Sequence, residues 1–152
     1  IARSSDLELK IAANDSNNIE LFKGMQHVSI QYGVPVGEMN AFYNSGDVLL
    51  VPSCCEGFGM GIIESLAAGV PVVSNMVGIM SDLIYDGCPG VSVIGKNDNI
   101  EEILTKTRQI ASKFHDFAKR LLLHSYVERN YGLSQYADKV LKIIKGNRYA
   151  EG

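Results

Sequence analysis

Asp47-Val48-Leu49-Leu50-Val51-Pro52-Ser53-Cys54-Cys55-Glu56-Gly57-Phe58-Gly59-Met60-Gly61-Ile62-Ile63-Glu64-Ser65-Leu66-Ala67-Ala68-Gly69-Val70-Pro71-Val72-Val73-Ser74 changes its pattern three times. Residues 47–52 are apolar on both faces, which predicts a strand in the middle of a covered sheet. Residues 53–59 hold two glycines and no periodicity, which predicts a loop. From Met60 to Ala68, Ile62, Ile63, Leu66 and Ala67 share one side of a helix, and Gly69 is placed to stop it. Residues 71–74 form a second short apolar run. A strand, a helix and a strand joined by short loops make a parallel βα unit.

The same alternation extends in both directions. Toward the N-terminus, residues 7–13 predict a strand, 14–18 a polar turn, 19–25 a short helix and 27–32 a β-branched strand ended by Gly33. Val36, Met39, Phe42 and Tyr43 then repeat at helical spacing up to Ser45. Toward the C-terminus, Gly78 precedes a short helix at 81–85, a Gly/Pro turn at 86–90 and a last strand at 91–94. Beyond Asn99 the chain reads as helix throughout. Asn99 and Glu102 have capping-box spacing ahead of a stripe of Ile100, Ile103, Leu104, Thr107, Ile110, Ala111 and Phe114. A second helix is expected at 117–129, and a third capped by Ser134 with Ala137, Val140, Leu141 and Ile144 facing inward. The fold class is α/β: a parallel sheet with flanking helices and a helical C-terminal segment.

Composition limits what such a domain does. With 152 residues, 46% of them hydrophobic, the chain can bury one core without disulfides or a structural metal. Fourteen basic and seventeen acidic residues, with no basic run, exclude nucleic acid as an expected partner. No apolar run approaches the roughly 20 residues of a spanning helix, and no signal peptide is read ahead of Ile1. Cys54, Cys55 and Cys88 fit neither a disulfide framework nor a metal pattern, so a reduced, cytoplasmic setting is expected. Cys54 and Cys55 read as small buried packing residues. His27, His115 and His124 share no metal-ligand spacing, and Tyr126, Tyr131 and Tyr136 read as helix packing. Seven of the fifteen glycines fall between Gly57 and Gly90, so the backbone there must turn tightly or approach something.

In a parallel α/β sheet, ligands bind beyond the carboxyl ends of the strands, where a loop enters a helix. Residues 56–61 are expected there. Unpaired amides at a helix start, with a dipole of about half a positive charge, suit a phosphate. Gly57, Gly59 and Gly61 would admit it to the main chain. Glu56 precedes them, and Glu64 follows among apolar neighbours, where an ionised carboxylate needs hydrogen-bond donors. No Lys or Arg lies between Lys23 and Lys96, so the hydroxyls of a ribose or sugar are fitting donors. The alternatives are a ligand-free tight turn and a Glu64 that simply faces solvent.

The stretch from Pro52 to Val73 resembles the signature of the retaining, nucleotide-sugar-dependent glycosyltransferases with the GT-B fold. It carries their E-x(7)-E spacing from Glu56 to Glu64, followed by Ala67-Ala68-Gly69-Val70-Pro71-Val72-Val73. A weaker likeness runs from about Leu7 to Ile144. The resemblance implies a Rossmann-like, nucleotide-sugar-binding C-terminal half of such an enzyme. By the same resemblance, Glu64 would meet the ribose hydroxyls, and Glu56 would contact the donor sugar as the catalytic candidate. The main chain of Gly57, Phe58, Gly59, Met60 and Gly61 would meet the sugar and diphosphate, and Gly33 and Val34 the base. No cofactor and no metal are implied.

The resemblance also implies missing parts. Relatives carry an N-terminal acceptor domain, and a first βα unit with a glycine-arginine segment and a lysine that clamp the diphosphate. The missing first strand would lie between the strands at Leu7 and Asp47, at the centre of the sheet. Ile79 stands where a second glycine is common after Gly78, and Asp82 replaces a usual glutamate. The expected partners are the nucleotide sugar and the missing N-terminal domain. A second copy paired through the incomplete sheet, and a membrane surface met peripherally by the full-length enzyme, stay open. Rival readings are a non-catalytic nucleotide-sugar-binding module, a GT-B-like nucleotide-sugar epimerase, and a dinucleotide oxidoreductase. The last fails because Ile62 occupies the third position of a GxGxxG motif and no acidic residue follows the next strand.

Overall fold

A computed structural model of the protein describes residues 7–13, 22 and 24–147. Two short parallel sheets form where the apolar runs predict strands. Strands β1 (Leu9–Ala13) and β2 (Val28–Tyr32) pair in register from Leu9 opposite Val28 to Ala13 opposite Tyr32. Strands β3 (Leu49–Val51), β4 (Val72–Ser74) and β5 (Val91–Val93) make the second sheet in the order β3-β4-β5. Every pairing is parallel, as β-strands linked through helices require. The expected turn at 14–18 and residues 19–21 and 23 of the expected short helix lie outside the described residues.

Between β2 and β3 the chain makes a 3-10 turn (Val36–Glu38) and helix α1 (Met39–Asn44). Helix α2 (Met60–Ala67) joins β3 to β4, and α3 (Met80–Tyr85) joins β4 to β5. The core gathers around α2: Ile62, Leu66, Val72, Val73, Met80, Leu83 and Leu123 are almost wholly buried. Burying side chains of this size contributes about 1.5–3 kcal/mol each.

Helix α4 (Ile100–Lys113) begins with the capping box that the sequence predicts. The Asn99 side chain accepts from the Glu102 amide at 3.1 Å, and the Glu102 carboxylate accepts from the Asn99 amide at 2.7 Å. Asp98 fastens this helix to β5. It accepts from the Gly95 amide and from Lys106, whose ammonium also donates to the Val93 carbonyl, and these bonds hold the Asp98 carboxyl below the usual range. Of the predicted stripe, Leu104, Ile110 and Phe114 are buried, whereas Ile100 in the first turn is exposed. Helix α5 (Phe117–Tyr131) packs across α2. Arg120 on it donates to the carbonyls of Gly69 and Gly46, and the His124 ring nitrogen meets the Ala67 carbonyl at 2.7 Å.

Four expectations change. Strand β3, expected mid-sheet, pairs among the described residues with β4 alone, and its other edge faces β1 across an open cleft. A run apolar on both faces reports helices above and below the sheet; it does not report neighbours along both edges. Helix α6 (Leu133–Asn147) starts one residue before Ser134, which therefore lies inside the first turn and donates to the Gln135 side chain instead of capping. Its apolar stripe is largely uncovered: Val140 is half-buried, Leu141 and Ile144 are about half exposed, Ala137 is exposed, and no described side chain of α6 joins the core cluster. Finally, Cys54 and Cys55 are exposed on the loop after β3, and only Cys88 is buried.

The cleft between the two sheets has a volume of about 1270 Å³. Leu9 and Ile11 of β1 line one side, Leu49 and Leu50 of β3 the other, with Phe42 of α1 and Leu104 of α4 closing it.

Candidate functional site

The loop after β3 is held from two sides. The Asn75 side chain, just past β4, donates to the carbonyls of Pro52 and Ser53 at 3.0 Å each. Gly78 lies directly against the loop further on: the Ile79 amide donates to the Phe58 carbonyl at 2.8 Å. A Cβ added at Gly78 would stand 2.4 Å from the Phe58 carbonyl oxygen, and its φ of +52° is itself a glycine conformation. Gly78 thus sets the position of the 57–59 loop.

Gly59 forms the entrance to α2. It occupies the left-handed region at φ 86° and ψ 48° as the residue preceding the helix, and it is buried. A non-glycine residue there carries roughly 1–2 kcal/mol of strain. Because Gly59 has no side chain, no side-chain cap covers the first turn. The Ile62 amide returns to the Gly59 carbonyl at 2.9 Å, while the amides of Met60 and Gly61 are engaged by no hydrogen bond among the described residues. Such a helix start offers donors to an anion. Glu56 is half-buried beside it, and the side chains of Phe58 and Met60 are exposed.

Glu64 lies one turn further along α2, and its surroundings differ from the sequence reading. It is exposed, although Ile62, Ile63, Ser65 and Leu66 around it are buried. It also has a donor within the chain: the Tyr43 hydroxyl, 2.9 Å from Glu64 Oε2. Burial and then the Glu64 carboxylate push the Tyr43 phenol above its ordinary value. Tyr43 escaped the sequence reading because 21 residues separate it from Glu64, and helical spacing alone marks it as a core residue.

Gly33 and Val34 follow the carboxyl end of β2. Gly33 has φ 58° and donates to the Ala13 carbonyl at 2.9 Å, so the turn is fixed to the end of β1. No hydrogen bond among the described residues joins this turn to the 56–61 loop. The two segments share the carboxyl-end side of their sheets, one beyond β2 and one beyond β3. Among the described residues no cluster of three or more His, Cys, Asp or Glu is arranged to hold a metal ion. No helix among them is long and apolar enough to cross a membrane.

Parallel strands flanked by helices define an α/β domain, with a glycine-entered helix and two carboxylates, Glu56 and Glu64, beyond the carboxyl end of β3. The chain belongs to the family described as glycosyl transferases group 1, whose profile matches residues 1–113. It is 31% identical over 114 residues to a trehalose synthase of Pyrococcus horikoshii, an alignment covering 74% of this chain and 26% of that protein. A D-inositol 3-phosphate glycosyltransferase of Thermomonospora curvata is 27% identical over 135 residues, covering 82% of this chain and 31% of the other. Among solved structures, one titled as the crystal structure of a GtfA/B complex superposes with a TM-score of 0.66 at 21% identity. It covers 92% of this chain and 29% of that one, and it supports the α/β fold alone. The chain spans about a quarter of the length of the trehalose synthase it matches.

Proposed function

We propose that this chain is the nucleotide-sugar-binding, C-terminal part of a retaining glycosyltransferase. The observation that carries the reading is the entrance to α2, where a left-handed Gly59 leaves the Met60 and Gly61 amides open between Glu56 and Glu64. In this reading those amides receive the donor diphosphate, and the main chain of Gly57 and Phe58 meets the sugar. Glu64 accepts from the ribose hydroxyls, Glu56 contacts the transferred sugar, and the Gly33–Val34 turn holds the base. Preorganised donors stabilise the charge that develops on the leaving diphosphate, so no metal is required. Glycosyl transfer then proceeds with retention once an acceptor is presented by a domain outside these 152 residues.

Completion of the sheet belongs to the same proposal. The open edges of β1 and β3 and the apolar cleft between them support a further parallel strand seated there, supplied with the missing N-terminal part. A second copy of this chain is the competing occupant.

Calorimetric titration with UDP, GDP and ADP sugars tests the donor reading. One of them is expected to bind, and Glu64→Ala to weaken it by about 1–3 kcal/mol through lost charged hydrogen bonds. Binding by none of the three, or an affinity indifferent to Glu64, would sink it.

A further inference from the structure

We propose that Tyr43 is a positioning residue that presents Glu64 to the ligand, an assignment that rests on Glu64 being the ribose acceptor. Tyr43 is near the end of α1 with its ring buried, packed edge-on against Phe42 at 6.1 Å between ring centres. A buried phenol needs a partner for its hydroxyl, and here that partner lies on another helix, at the margin of solvent. The Tyr43 hydroxyl donates to Glu64 Oε2 at 2.9 Å. Gly61 borders this contact: a Cβ there would stand 3.4 Å from that hydroxyl, at ordinary van der Waals distance. Tyr43, 21 residues away in sequence, therefore meets Glu64 beside Gly61 on α2.

The hydrogen bond fixes an otherwise mobile acid. An exposed glutamate samples several rotamers, and holding one costs side-chain entropy. Tyr43 fixes that rotamer before any ligand arrives. It occupies Oε2 and leaves Oε1, on an exposed residue, with no hydrogen bond among the described residues. A preorganised acceptor binds a pair of vicinal hydroxyls more tightly than a free one. The Tyr43 hydroxyl touches no reacting group; it acts through Glu64.

The test compares ligands with and without the ribose hydroxyls on the full natural protein. UDP, GDP or ADP, whichever binds, is titrated alongside its 2′,3′-dideoxy counterpart. Tyr43→Phe keeps the ring in the core and removes only the donor. It is expected to weaken the ribonucleotide about three- to tenfold and to leave the dideoxynucleotide within about twofold. With turnover as the readout, the donor KM rises by the same factor and kcat stays nearly constant. Glu64→Asp, which withdraws the carboxylate from the hydroxyl while keeping its charge, should reproduce the pattern. Adding Tyr43→Phe to it should do no further harm. Equal weakening of both ligands by Tyr43→Phe would assign Tyr43 to packing alone and overturn the proposal, as would an unchanged ribonucleotide affinity. If Glu64→Asp leaves the preference for ribose intact, the ribose role of Glu64 itself fails, and the proposal falls with it.

Discussion

Single atoms decide whether the 57–61 loop has its shape. Gly78 has no side chain because the Phe58 carbonyl occupies the space a Cβ would take, 2.4 Å away. Gly78→Ala adds that clash to a left-handed backbone. It is expected to lower stability by at least about 2 kcal/mol in urea unfolding and to abolish nucleotide binding in the fraction that folds. Unchanged stability would show that the contact between the two loops is dispensable. The cysteines divide just as sharply. Cys54 and Cys55 are exposed two residues and one residue ahead of Glu56, whereas burial pushes the Cys88 thiol up despite a backbone hydrogen bond. An alkylating reagent applied to the native protein at neutral pH should label Cys54 and Cys55 and spare Cys88, as read by peptide mass spectrometry. Labelling of all three at one rate would contradict this burial pattern. Neither feature is legible in the sequence: the Gly78–Phe58 contact spans 20 residues, and two adjacent cysteines after an apolar strand look like core.

The alternation of short apolar runs with helical spacing was enough to place every described strand within about two residues, because parallel βα units bury strands on both faces. The capping box at Asn99 and the helix stop at Gly69 were legible for a similar reason, since each is a local device of a few residues. Gly69 has a further role that only packing reveals: a Cβ there would lie 3.0 Å from the Arg120 carbonyl, so α5 closes onto the end of α2. Arg120 completes that junction by donating to the Gly69 and Gly46 carbonyls. Arg120→Ala leaves both carbonyls short of a donor and should cost about 1–3 kcal/mol in thermal or urea unfolding. A loss below about 0.5 kcal/mol, the level of an ordinary surface change, would mean α5 is held by apolar contacts alone. Element edges were less legible than element positions. The open edge of β3 and the uncovered stripe of α6 both depend on neighbours that hydrophobic periodicity does not report.

At the scale of the whole molecule, two parallel sheets face each other across a cleft of about 1270 Å³, with the loop of Glu56 to Gly61 beyond one of them. Family membership rests on residues 1–113, and the chain spans 26% of the trehalose synthase to which it is aligned. The candidate site was largely legible because its glycines and carboxylates are contiguous in sequence. Its support, from Tyr43 on one side and Gly78 on the other, comes from distant segments and emerges only in three dimensions. The proposed function requires a nucleotide diphosphate to enter at the start of α2. The most direct measurement is an NMR titration of the isotope-labelled protein with UDP, GDP and ADP, following each backbone amide. For the nucleotide that binds, the largest saturable shifts should fall on Gly59, Met60, Gly61 and Glu64, with smaller ones at Gly33 and Val34. Saturable shifts confined to the cleft between β1 and β3, with the amides of the 57–61 loop unmoved, would contradict it.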